Sequence, residues 1–246
     1  MWEIVAVVAA AFIVGTSKTS VGGFGVIAVM LFALVMPAKE STAAVLLLLI
    51  LGDIVAVWRY RKHGDWGLLL RLMPYVVPGI VLGALFIRAV DDEVLRRSIG
   101  AILAVFVVLQ IIQRFRATRS VRAPRERRGE LLAAAGYGTA AGFTTMTANA
   151  AGPVMTMYLL AVGVDKKAFV GTNAWYFLIV NLTKVPFSAA LGLFPESTLR
   201  LAVVLAPVVL LGTWVGTRIT NRISQVHFER LAIGASMVAA AVLLIR

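Results

Sequence analysis

Apolar runs of about 18 residues or more recur along the whole chain, and that is the length a helix needs to cross a bilayer. Ala, Leu, Val and Ile fill these runs without the alternation of a barrel strand, so the chain reads as an all-α polytopic membrane protein. Hydrophobic residues make up 60% of its 246 positions, far more than a soluble domain carries. Within hydrocarbon, open backbone is tolerated only where protein or a water-filled cavity surrounds it. Two stretches run against this rule in matching ways: Gly15-Thr16-Ser17-Lys18-Thr19-Ser20-Val21-Gly22-Gly23-Phe24-Gly25, and Gly142-Phe143-Thr144-Thr145-Met146-Thr147-Ala148-Asn149-Ala150-Ala151-Gly152-Pro153. Each is expected to be a small, hydroxyl-rich break inside an apolar helical segment.

The layout around the breaks repeats. A broken segment at 2–36 is followed by helices at 40–60, 67–89 and 94–114; an Arg-rich linker leads to a second broken segment at 130–163 and helices at 168–192, 198–221 and 226–245. Gly15, Gly25 and Lys39 recur as Gly142, Gly152 and Lys166 at one constant offset. Pro74-x4-Gly79-x3-Gly83 recurs as Pro207-x4-Gly212-x3-Gly216 at an offset six residues larger. An internal duplication explains both, with a first repeat at 1–114, a linker at 115–128 and a second repeat at 129–246.

The basic residues choose between two topologies. If each broken element crosses the membrane once, Lys and Arg divide thirteen against nine between the two sides. If each is a hairpin that enters and leaves on one face, the loops at 59–71, 114–128, 166–167 and 218–230 share a side with sixteen, against six opposite. The positive-inside rule prefers the second arrangement. Each repeat is then one re-entrant helical hairpin plus three transmembrane helices, the repeats are inverted, and both termini lie outside. The arms Trp2 to Gly15 and Phe24 to Met36 would each reach only about 20 Å, short of a core of about 30 Å. Interrupted helices meeting near the midplane of inverted repeats are where secondary transporters bind substrate.

The breaks carry the candidate binding residues. A helix N-terminus offers unpaired N–H groups to an anion, and the returning helices begin at Gly22 and Gly23 and at Asn149 to Gly152. Ser17, Thr19, Ser20, Thr145, Thr147 and Asn149 add donors for an oxyanion, although such residues also serve close helix packing. Lys18 and Lys184 lie inside apolar stretches, where a charge points to function, and either would neutralise an anion. Snorkelling or pairing with a carboxylate is the alternative for each. Asp53 is a lone intramembrane carboxylate, a candidate for a coupling proton or a partner for Lys18, Lys184 or Arg59. Asn173 and Asn181 either line a path or bond between helices.

Several classes fall away. The chain has no cysteine, and its two histidines, His63 and His227, sit beside loop charges, so no metal site and no cofactor are expected. The net charge of +12 reports orientation more than nucleic-acid binding, because the arginines of the linker lack interleaved aromatics and suit anionic lipid instead. The expected partners are therefore a small anion, the bilayer and a coupling proton or cation. An intramembrane enzyme acting on a lipid phosphate would need acid/base or metal-binding groups at the tips, which contain no Asp, Glu or His. No enzyme is therefore expected, while an anion channel shares the same lining and stays open as a reading.

The duplicated layout, Gly22-Gly23-Phe24-Gly25 before an apolar helix, and the run Gly152-Pro153, Tyr158-Leu159-Leu160, Gly163-Val164 and Gly171-Thr172-Asn173 resemble the sulfite exporter TauE/SafE family over nearly the entire chain except the linker. That resemblance implies a transporter in the inner membrane of a prokaryote that exports sulfite or an organosulfonate such as sulfoacetate. The second break departs from the family pattern, with Thr144-Thr145-Met146-Thr147-Ala148-Asn149 in place of a glycine-rich run.

Overall fold

The computed structural model describes residues 2–19, 25–116, 127–164 and 166–219. Among these residues it contains nine α-helices and no strand. In chain order they are α1 (Trp2–Thr19), α2 (Gly25–Val35), α3 (Ala38–Tyr60), α4 (Trp66–Ala89), α5 (Asp92–Arg116), α6 (Arg127–Ala148), α7 (Gly152–Val162), α8 (Lys166–Ala190) and α9 (Glu196–Ile219), with a 3₁₀ turn at Arg61–His63. The spans Ala38–His63, Trp66–Ala89 and Glu196–Arg218 are long and apolar enough to cross a membrane. The expected final helix at 226–245, the linker centre at 117–126 and the tip residues 20–24 lie outside the described residues.

Local chemistry sets the helix ends. Asp65 caps α4 by accepting from the Leu68 amide at 3.1 Å, and Asp91 caps α5 by accepting from the Val94 amide at 2.8 Å. Pro153 stands in the first turn of α7, where a missing N–H is harmless, and Gly163 closes that helix at φ 84°.

Two ends of the bundle can be told apart. At one, Trp58, Tyr60 and Trp66 accompany Arg59, Arg61 and Lys62, an aromatic and basic girdle of the kind found at a membrane interface. The start of α8 docks here: Gly171 lies against the backbone of His63 and Gly64, Thr172 Oγ1 accepts from the Asp65 amide at 2.8 Å, and Trp175 stacks 4.9 Å from Trp66. At the other end, the Lys39 amide donates to Asp92 at 2.8 Å, joining the starts of α3 and α5.

Helix α6 runs in the same direction as α4, because Gly138 meets Leu72 and Tyr75, Gly142 meets Val76 and Gly79, and Met146 meets Gly83. It therefore starts at the basic end, and since α8 also starts there, α7 leads the chain back. The hairpin α6–α7 leaves and returns on one side.

Both α1 and α6 run on past the residues where the breaks are expected to begin. Helix α1 continues through Gly15 to Thr19, and α6 continues through Gly142 to Ala148. At 18 and 22 residues, these arms span about 27 and 33 Å, so they pass mid-depth rather than stopping at about 20 Å. Only the returning arms α2 and α7 are short, at 11 residues each. The physical reason lies in the hydroxyls: Thr16, Ser17, Thr144 and Thr147 donate to carbonyls three or four residues back, a bond fully compatible with a continuing helix. In the second break the helix ends where Asn149 adopts φ 49°.

The two halves interleave, since the most extensive helix pairs are α4 with α6 and α1 with α9. Both pairs close on glycine. A Cβ at Gly15 would lie 2.1 Å from the Val209 carbonyl oxygen, and one at Gly212 would lie 2.3 Å from that of Phe12. A Cβ at Gly142 would lie 2.1 Å from the Val76 oxygen, and one at Gly79 would lie 2.2 Å from that of Thr139. The glycines that repeat along the sequence are thus the ones that make the same contact twice.

Backbone cannot yield as a flexible side chain does, so Gly15→Ala and Gly142→Ala are each expected to cost about 1–3 kcal/mol by forcing the helices apart. Gly136→Ala is expected to leave the melting temperature in detergent unchanged or raised, because a Cβ there meets nothing within 4 Å. Equal melting of all three variants would show that these close approaches do not hold the bundle.

Candidate functional site

The polar residues singled out in the sequence converge where α1, α3, α8 and the tip of α6–α7 meet. Lys18, one residue before the end of α1, places Nζ 2.6 Å from Asp53 Oδ1 and 4.4 Å from the centre of the Phe177 ring. Its stem passes over Gly52, where a Cβ would lie 2.9 Å from Lys18 Cγ. Asp53 Oδ2 accepts from Asn181 Nδ2 at 2.7 Å. The Asn181 oxygen accepts from Lys184 Nζ at 3.2 Å, as does Thr145 Oγ1 at 3.3 Å. The third acceptor of Lys184 is Asn149 Oδ1, and Asn149 Nδ2 donates in turn to the Thr42 carbonyl at 2.9 Å.

An ammonium has three N–H donors, and Lys184 has three oxygen acceptors. All three are neutral. Lys18 is different, because Asp53 compensates its charge directly, whereas Lys184 has no carboxylate within bonding distance among the described residues. Both Lys184 and Asp53 are 1% exposed. In formal charge, two ammonium groups and one carboxylate leave the cluster with one positive charge in excess.

The tip adds donors of another kind. The Asn149 and Ala150 amides bond back to Thr145 at 3.0 Å and Thr144 at 3.3 Å, closing the end of α6. The amides of Ala151, Gly152 and Val154 have no acceptor among the described residues. Ala151 and Val154 are nevertheless buried, and buried amides without an acceptor are rare in folded proteins. Open space lies beside them, since a Cβ at Gly152 would meet nothing within 4 Å. A small anion accepts hydrogen bonds readily at such a helix start.

The structure thus brings together Lys18, Asp53, Asn181, Lys184, Thr145, Asn149 and, through the tip backbone, Gly152. Of the other described candidates, Ser17, Thr147 and Asn173 stand outside this chain of bonds. The hydroxyl protons of Ser17 and Thr147 are spent on the Val14 and Phe143 carbonyls of their own helices. Asn173 stands three turns before Lys184 on α8, about 16 Å along the helix; its Oδ1 is buried without a partner, as is Tyr176 Oη. The side chain of Thr19, and all of Ser20, Gly22 and Gly23, fall outside the described residues.

Sequence reasoning missed Thr42, Gly52 and Phe177. Of these only Gly52 left a signal, as a small residue beside a lone carboxylate.

Among the described residues no group of three or more His, Cys, Asp and Glu is placed to hold a metal ion. Residues 7–243 match the family model described as sulfite exporter TauE/SafE. No curated protein and no solved structure matches the chain. The matched residues take in α1 from Val7 onward, the other eight described helices and every residue of the polar cluster, and the description is that of a sulfite exporter. The chain belongs to the sulfite exporter TauE/SafE family.

Proposed function

We propose that this protein is a secondary transporter that exports sulfite or a small organosulfonate, such as sulfoacetate, by alternating access. The observation that carries the reading is Lys184, a buried amine whose partners among the described residues are neutral oxygens, beside a helix start with open amides. A pyramidal or tetrahedral sulfur oxyanion presents three oxygens. The amides of Ala151, Gly152 and Val154 and the Thr145 hydroxyl are the donors for them. Lys184 supplies the opposing charge, and the anion displaces one of its present neutral partners. Asp53 holds Lys18 in place and does not carry the coupling proton.

The halves are taken as inverted repeats on two supports. The paired glycine contacts of α1 with α9 and of α4 with α6 use corresponding atoms, and the hairpin α6–α7 opens at the basic end. By the positive-inside rule that end is cytoplasmic, in the inner membrane of a prokaryote, and both termini lie outside. Each tight pair contains one helix from each half, so the rocking bodies are these mixed pairs rather than whole repeats. Pro74 and Pro207, each five residues before its contact glycine, are the bending points.

Thermal stability of the purified protein against sulfite, sulfate, thiosulfate, sulfoacetate, taurine, phosphate and acetate tests the substrate class, since a ligand that binds the folded state raises its melting temperature. A selective rise with one sulfur anion is expected; a flat panel would remove the substrate assignment. In proteoliposomes the flux of that anion is expected to saturate and to respond to a second ion gradient. Unsaturable flux indifferent to any gradient would make the protein a channel.

Lys184→Met is expected to weaken the anion about 10- to 100-fold, the worth of one charge-assisted hydrogen bond. Gly152→Ala places a methyl group in the open space without a clash, so affinity should fall while the melting temperature holds. Normal binding in both variants would rule out the tip as the site.

Lys18→Met and Asp53→Asn should each destabilise by about 3–5 kcal/mol, because each leaves a buried charge alone. The double variant should recover most of that loss and keep gradient-dependent transport. Loss of coupling in a stable double variant would instead make Asp53 the proton carrier.

A further inference from the structure

Residues spaced by three and four along a helix share one face. On α8 the face of Lys184 also carries Val180, Phe177 and Asn173, a stripe that runs about 16 Å from the lysine towards the basic end. The rest of the helix is turned elsewhere. Gly171 and Trp175 meet the connection between α3 and α4, and Leu182, 49% exposed, points outward. The stripe is therefore interior, as the bonds of Lys184 to the α6–α7 tip require.

Exposure along this interior face falls in one direction. Asn173 and Phe177 are part-exposed, whereas Val180 and Lys184 are each 1% exposed. A crevice thus opens beside Asn173 and ends at Phe177. Two polar groups mark it: Asn173 Oδ1 and the hydroxyl of Tyr176 are both buried without a partner among the described residues. Tyr176 is wholly buried, and at three positions from Asn173 it is its neighbour on the helix surface. Buried tyrosine hydroxyls and amide oxygens are paired as a rule, and where protein supplies no partner, water does. The Phe177 ring stands at the inner end. Its centre lies 4.4 Å from Lys18 Nζ and 5.2 Å from that of the Tyr176 ring, in an edge contact at 79°.

We propose that Asn173 and Tyr176 line a water-filled entry path from the basic end, and that Phe177 is the barrier between this path and Lys184. The amide and the hydroxyl carry no charge, so they exchange hydrogen bonds with a hydrated anion without trapping it. The ring offers no such bond. An anion passes only when the ring turns aside, and it leaves its water on the entry side, which keeps the Lys184 cluster dry. The role as an entry path rests on the transport reading; its openness to water does not.

The chain has no cysteine, so single introduced cysteines can be followed without background. The test is their rate of modification by 2-sulfonatoethyl methanethiosulfonate, an impermeant anionic thiol reagent, in membrane vesicles of either orientation. His63→Cys, exposed in the 3₁₀ turn, marks the basic face. Asn173→Cys is expected to react from that face and not from the other; Phe177→Cys serves if Asn173→Cys does not fold. Val180→Cys should react about tenfold more slowly or less, because a buried site is reached only through a minor open state of about 10% or below. Adding Phe177→Ala should bring its rate up to that of Asn173→Cys. Leu182→Cys, on the lipid side, should stay unreactive in both orientations.

Unreactive Asn173→Cys and Phe177→Cys would overturn the path, and Val180→Cys reacting as fast as Asn173→Cys with Phe177 in place would overturn the barrier. The transport reading fails separately. A flat anion panel with a reactive Asn173→Cys would remove the substrate and leave the water path, whereas a selective anion shift with an unreactive Asn173→Cys would keep the substrate and remove the path.

Discussion

A polar group inside a bilayer must find its partners within the protein, and Lys184 imposes that demand most severely here. Its three acceptors come from α6, from the break after α6 and from its own helix. One of them, Asn181, is oriented by Asp53, which is in turn held by Lys18. A single chain of bonds thus ties α1, α3, α8 and the α6–α7 tip into one register. Apolar side chains cannot fix such a register alone, because lipid tails compete for them on nearly equal terms. Removing any link would strand a buried donor or acceptor, a loss of about 1–3 kcal/mol or more for a charged group.

The second constraint is steric. The contacts of Gly15 with Gly212 and of Gly142 with Gly79 bring backbone against backbone, which maximises dispersion where no hydrophobic gain exists between helices. They also decide which helices belong together. Helices α1 and α6 are clamped to α9 and α4, so the tip after α6 is presented from a fixed support. The clamps make the scaffold, and the polar chain places the α6–α7 tip on it.

Much of this scaffold was legible in the sequence, because its determinants are local or repeated. Apolar length gives the helices, and the recurring Pro-x4-Gly-x3-Gly pattern marks the helices that make the close contacts. The break positions differ from the expected ones for a physical reason. Ser and Thr suggest open backbone, yet Thr144 and Thr147 bond back to their own helix and keep it intact. The actual end of α6 depends on Asn149 reaching positive φ, which one residue type tolerates better than most but does not announce. Which lysine would pair with Asp53 was not legible either. Both lie far from it in sequence, and only the fold brings Lys18 to 2.6 Å while holding Lys184 one asparagine away.

That difference between the lysines has a consequence for selectivity on the proposed reading. With Lys18 compensated, the cluster carries a single excess charge, enough to favour an anion but not to distinguish a sulfonate from a carboxylate or a phosphate. Discrimination then falls to the neutral donors, whose number and direction are fixed by the start of α7 and by Thr145. Directional donors in a dry site separate anions by shape, because an oxygen that misses its donor leaves a buried N–H unpaired. Charge admits the class, and backbone geometry chooses within it. The threonine-rich second tip therefore tunes specificity through the one hydroxyl that faces Lys184 rather than through the hydroxyls its helix has already used.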